Sequence, residues 1–155
     1  MIRIAMLFLY ASASGAGGPA PVTIDWPDFF SRVSTLGLEY SERLRALEGQ
    51  RVRLRGFSIS HPRVPGGVLL SRDPYSDPHD VEETDVPYDA VGVLWRKSIP
   101  IPAVPARPTV EGTLSLGNHT LGDQTVAILL EDAVPVFPTR RRPAVPNPRS
   151  SKRLS

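Results

Sequence analysis

The 155-residue chain contains no cysteine. That excludes disulfides, thiolate zinc sites, iron–sulfur ligation and lipid attachment through an N-terminal cysteine. The redox compartment stays open, because a domain with an adequate core needs no disulfide in any compartment. Long apolar runs are missing as well. Ile4–Ala11 is the first such run, and neither it nor any later stretch reaches the roughly 20 residues a bilayer span requires. No serine sits in a Gly-x-Ser-x-Gly elbow, so that type of hydrolase nucleophile is absent. Aromatic residues are few, and among the strand candidates only Phe57 and Trp95 offer rings for stacking a base.

Proline and glycine, by contrast, are plentiful. Seventeen prolines and twelve glycines argue for one domain of short strands and loops with tails, and against long helices. The net charge of +2 conceals a division. Arg140, Arg141, Arg142, Arg149, Lys152 and Arg153 lie beyond the last strand candidate, whereas all sixteen acidic residues precede them. Residues 1–139 therefore set twelve basic residues against sixteen acidic ones, a net of −4. With an acidic body and a basic tail, the basic pI by itself does not mark the whole protein as nucleic-acid-binding.

Met1–Ala13 has the form of a short secretory signal. Arg3 supplies the positive start, Ile4–Ala11 the apolar run, and Ala11-Ser12-Ala13 the small-x-small cleavage pattern. Residues 14–23 read as a linker. Asp25-Trp26-Pro27-Asp28 predicts a capped helical turn with proline inside it. Leu36–Leu47 predicts a second helix, with Leu36, Tyr40, Leu44 and Leu47 on one face and Gly49 at its end. Trp26 is expected to plug the end of the core rather than to stack on a ligand.

The organising stretch is Leu47–Ile59. Val52 and Leu54 alternate with Arg51, Arg53 and Arg55, the period of a half-buried strand. Phe57 and Ile59 are then out of phase, and Gly56 stands at the slip, where a missing Cβ permits a bend. Further strands are expected over Val68–Arg72, Val91–Trp95, Thr109–Leu116 and Thr125–Val136. The last is almost continuously apolar and should be central. Gly117-Asn118 and Gly122-Asp123 punctuate the hairpin loop before it. Pro100, Pro102, Pro105 and Pro108 exclude a helix between the third and fourth strands. The expectation is an all-β fold with short N-terminal helices (24–48) and a small five-stranded OB-like barrel (50–137). Residues 138–155 form a basic Pro/Arg-rich tail unable to bury enough surface to order itself.

This arrangement resembles an uncharacterised family of small exported bacterial proteins with an OB-like domain. The residues that carry the resemblance are Asp25-Trp26-Pro27-Asp28, Leu47 to Phe57, Val68-Leu69-Leu70 and Val110-Glu111-Gly112-Thr113-Leu114, within residues 24–136. The resemblance implies an accessory protein near envelope transport systems and carries no established activity. Family members often have cysteines and histidines after the second strand, where this chain has Asp73-Pro74-Tyr75-Ser76-Asp77-Pro78-His79-Asp80.

Two features hold candidate chemistry. Residues 73–89 carry seven carboxylates and His79, with no Lys or Arg, so Asp77, His79 and Asp80 are the candidate ligands for a divalent cation. The absence of glycine there rules out an EF-hand. The second feature is the Arg51, Arg53 and Arg55 stripe, with Trp95 as a further binding residue. The stripe is expected to pair with the acidic loop, the alternative being a grip on phosphates. His61 and His119 are expected to be surface histidines. The functional expectation is an exported, non-enzymatic binding or accessory module with a protein partner. A single-stranded nucleic-acid-binding domain is the competing reading.

Overall fold

The elements follow in the order β1 (Val22–Thr23), a 3-10 turn (Trp26–Asp28), β2 (Phe30–Ser34), β3 (Gly37–Tyr40) and α1 (Glu42–Ala46). They continue as β4 (Arg51–Arg55), β5 (Phe57–Ile59), β6 (Gly67–Ser71), β7 (Val91–Trp95), β8 (Thr109–Leu121) and β9 (Gln124–Val136). The structure is a computed structural model that describes residues 18–59, 63–74 and 86–139. The architecture is mostly β. A seven-stranded sheet runs β1-β4-β8-β9-β7-β6-β5, and β2 and β3 form a separate hairpin.

The phase slip at Gly56 divides one segment between two distant places in that order. Before it, Val52 and Leu54 are fully buried in the larger core, and β4 pairs antiparallel with β8. After it, Ile59 enters a second, smaller core, and β5 pairs antiparallel with β6. The sheet order thus starts beside β4 and ends at β5, the two halves of one bent segment. The proline-rich connection lies along β5: Ser58 N–H donates to the Ala106 carbonyl at 2.9 Å, and Gly56 N–H to that of Pro108 at 3.2 Å.

Strand β9 is central, paired with β8 on one side and parallel to β7 on the other. Its two faces feed different cores. Ile128, Leu130 and Ala133 enter the larger one, Val126 and Leu129 the smaller. Burial on both faces is why its sequence shows no polar alternation.

The N-terminal helical expectation is corrected. Gly37, at φ +134°, interrupts the stretch and closes the two-residue turn that joins β2 to β3. Leu36 stands at the turn, 98% exposed. Only Glu42–Ala46 is α-helical, because Ser41 caps it by accepting the Leu44 N–H at 3.1 Å. Asp25 does cap a turn, but a three-residue 3-10 turn. Val22–Thr23, expected in a linker, pairs parallel with Val52 and Arg53. The β8–β9 hairpin is longer than expected: β8 continues through Gly117 and Asn118, absorbs a bulge between Leu116 and His119, and turns only at Gly122-Asp123. Gly122 has φ +60°, which a two-residue hairpin loop needs at its first position.

The five-stranded count becomes seven in the main sheet, because the bent strand is broken into β4 and β5 and because β1 adds an edge. No described residue between β7 and β8 is helical, as four prolines there require.

Candidate functional site

Sheet register builds the arginine face row by row. Arg53 lies opposite Glu111 on β8, which in turn lies opposite Val134 on β9. One row on, Arg55 lies opposite Thr109, and Thr109 opposite Val136. Alternation keeps Val52 and Leu54 inward and the arginines outward.

Two arginines of the stripe, Arg51 and Arg53, pair with carboxylates carried on strands. Arg53 forms a fork onto Glu111, with Nε 2.9 Å from Oε1. Arg51 donates to the Asp132 carbonyl at 2.8 Å and approaches its carboxylate at 3.4 Å. For Arg53 the cause is local, since Glu111 is its directly opposed cross-strand neighbour. Of the acidic stretch, Asp73 and Asp89 are described. Asp73 lies 4.0 Å from Arg72. Burial raises the pKa of Asp89, against the lowering effects of a backbone hydrogen bond and of Arg72.

Asp132 also receives Arg96 in a two-pronged contact, Nε to Oδ1 at 2.9 Å and a terminal nitrogen to Oδ2 at 3.0 Å. The Arg96 hydrogen bond holds the Asp132 carboxyl below its usual range, opposed by slight desolvation and aided by the charges of Arg96 and Arg51. The backbone of Asp132 has φ +50°, at the bulge where β9 passes Gly112.

Arg55 differs from its two neighbours, having no acidic partner among the described residues. It lines an open groove of about 450 Å³ with Arg53, Arg107, Pro108, Val136 and Phe137. Arg107 likewise has no acidic partner among the described residues, and its guanidinium carbon lies 4.9 Å from the centre of the Phe57 ring. Phe137 is 63% exposed. Sequence reading missed Arg107 and Phe137. The available signal was the alternation Arg107, Thr109, Glu111 against Val110 and Gly112, which continues the outward row of β8 back into the proline-rich connection.

Trp95 is not on this face. It is 7% exposed and packs in the larger core. Asp77, His79 and Asp80 lie outside the described residues, as do His61 and the tail from Arg140. Among the described residues no three of His, Asp and Glu are grouped to hold a metal ion. His119 lies within β8 rather than in a loop, with Nε2 3.2 Å from the Ser115 hydroxyl. No carboxylate among the described residues hydrogen-bonds its other ring nitrogen, the third member such a pair needs to act as a nucleophile and base.

A second set of rings was also missed. Tyr40 stacks on Phe30 at 5.7 Å, and Tyr88 lies 6.2 Å from Phe30. Tyr40 is structurally engaged: its hydroxyl donates to the Ala127 carbonyl at 2.6 Å and accepts the Gly117 N–H at 2.9 Å. This ties the β2–β3 hairpin to β8 and β9.

Among the described residues no helix is long and apolar enough to cross a membrane. No family model matches the chain, and no curated protein does. A solved structure does resemble it, the crystal structure of a DUF3299 family protein from Pseudomonas aeruginosa PAO1, a domain family without assigned function. That similarity has a TM-score of 0.50 at 16% identity and covers 77% of this chain and 98% of the other. At such identity the likeness is one of fold.

Proposed function

We propose that this chain is an exported, non-enzymatic binding or accessory module, built on an OB-like domain and working with a protein partner near an envelope transport or assembly system. Export rests on the signal-like Met1–Ala13. The OB-like reading is supported by the bent Arg51–Ile59 segment, which pairs with β8 through one half and β6 through the other. Counted as one strand, it makes five with β6, β7, β8 and β9, as a small Greek-key barrel has.

The observation that carries the binding reading is the groove at the end of β4. Its walls belong to strands and to a proline-stiffened connection, and two of its arginines have no internal partner among the described residues. A partly apolar concavity whose rim carries charge without a partner among the described residues is a surface suited to a partner.

The single-stranded nucleic-acid alternative draws on the same arginines. The test is fluorescence anisotropy with labelled oligonucleotides across a salt series, using the full chain and a variant with Arg140, Arg141 and Arg142 all changed to Glu. The expected result is weak binding that disappears in the variant. Tight binding that survives the tail substitutions would overturn the protein-partner reading. Export is tested separately, by whether the protein recovered from the periplasm begins at Ser14.

A further inference from the structure

We infer that the groove between the end of β4 and the start of β8 takes an extended acidic segment of polypeptide, held by Arg55 and Arg107; this rests on the protein-partner reading above. The charge along the arginine face is unevenly satisfied. Arg51 is answered by Asp132 and Arg53 by Glu111, while Arg55 and Arg107 are answered by no carboxylate among the described residues. Positive charge without a partner among the described residues is therefore concentrated at one end of the stripe, within a body whose first 139 residues carry net −4. An anionic ligand is steered to such a spot and repelled elsewhere.

Arg107 is already positioned. Its contact with Phe57 uses the ring face and consumes none of the guanidinium N–H donors, so the fork remains available to a carboxylate.

The proline walls decide how a ligand is held. Pro105, Pro108, Pro135 and Pro138 have no N–H to donate, so an incoming chain cannot be zipped in by a backbone ladder along them. Recognition must go through side chains: carboxylates onto Arg55 and Arg107, and an apolar side chain onto Val136 and Phe137. Nucleic acid fits less well. Glu111 stands beside Arg53, and the ring of Phe57 is already covered by Arg107, which leaves Phe137 as the exposed ring for a base.

The experiment is anisotropy on the full chain with three fluorescein-labelled probes: a short Glu/Leu peptide, the same peptide with Gln for every Glu, and an oligo-dT. The protein forms are wild type, Arg55→Glu, Arg107→Glu and, as a control of equal charge change on α1, Arg45→Glu. Each is checked for an unchanged thermal melt. The Glu/Leu peptide should bind wild type and lose about tenfold or more in affinity with either groove substitution. It should lose far less with Arg45→Glu. Equal binding of the Gln peptide, weakened by the same groove substitutions, would overturn the acidic preference and leave the protein-partner reading intact. Tighter groove-dependent binding of oligo-dT would overturn both. Failure of all three probes to bind would overturn this inference alone.

Discussion

Trp26 and Gly56 approach so closely that a β-carbon added to the glycine would come within 2.7 Å of the indole Cζ2. The same atom would lie 3.0 Å from the Ser71 carbonyl oxygen and 3.2 Å from the Leu70 Cβ. The indole cannot easily retreat, because its Nε1 donates to the Arg55 carbonyl at 2.8 Å and its rings pack 5.0 Å from Phe29. Gly56 thus has a second task besides the bend, which is to make room for the ring that covers it. Gly56→Ala should cost about 1–3 kcal/mol through overpacking. Urea unfolding would show a lower midpoint at unchanged slope, and the Gly56→Ala penalty should be smaller when measured in a Trp26→Ala background.

The Tyr40 hydroxyl satisfies two backbone groups at once, on Ala127 and Gly117. Tyr40→Phe keeps the ring stack with Phe30 and strands both partners. A half-buried donor and acceptor left unpaired should cost about 1–3 kcal/mol. Amide hydrogen exchange is the more specific readout, since protection at Gly117 should fall while that at the β4–β8 ladder stays unchanged.

Asp132 joins a strained backbone to two guanidiniums. Asp132→Ala keeps the φ of +50° and loses the carboxylate contacts to Arg96 and Arg51, sparing the Arg51 bond to the backbone carbonyl, whereas Asp132→Gly loses the same contacts and relieves the backbone. The alanine variant should therefore be the less stable, by about 1 kcal/mol. The pH dependence has a defined sign. The folded carboxyl titrates below its unfolded value of 3.8, so its contribution is complete above that value and fades as pH falls through the folded pKa. The gap between wild type and Asp132→Asn should accordingly close below about pH 4, and it should be small throughout because the pair is exposed to solvent.

Strand phase was the most legible property of this chain. The Val52, Leu54 and Ile59 slip marked the bend because burial on one face leaves a period of two, and any shift in it is visible. The continuous apolar run of β9 marked the central strand for a related reason. The groove was less legible, since the alternation that places Arg107 on the outward row of β8 runs back into a proline-rich connection, where prolines obscure a strand period. Arg53 goes to Glu111 because register sets such neighbours, and register is a property of two strands that neither sequence displays alone; Arg51 reaches Asp132 across β8, a relation set by the order of three strands. Trp95 was assigned to the surface although it ends a run of buried residues in β7. Its phase with Val91 and Val93, both fully buried in the same core, is the signal that it faces inward.

The stretch from Leu36 to Leu47 separates helix from hairpin by experiment. A helix would put Leu36 and Leu44 on one buried face, and truncating either would leave a cavity. The hairpin exposes Leu36 almost fully and buries Leu44 to 1%. Leu44→Ala should therefore cost about 2–5 kcal/mol, the usual range for emptying a core site. Leu36→Ala should stay within about 0.5 kcal/mol of wild type. Comparable losses from the two substitutions would mean that Leu36 is packed, and Gly37 would then no longer mark a turn. Both variants can be read in one set of urea melts, with Ser41→Ala as a third. That substitution removes the α1 cap and should cost about 1 kcal/mol, since the Ser41 oxygen is what lets a helix begin only at Glu42.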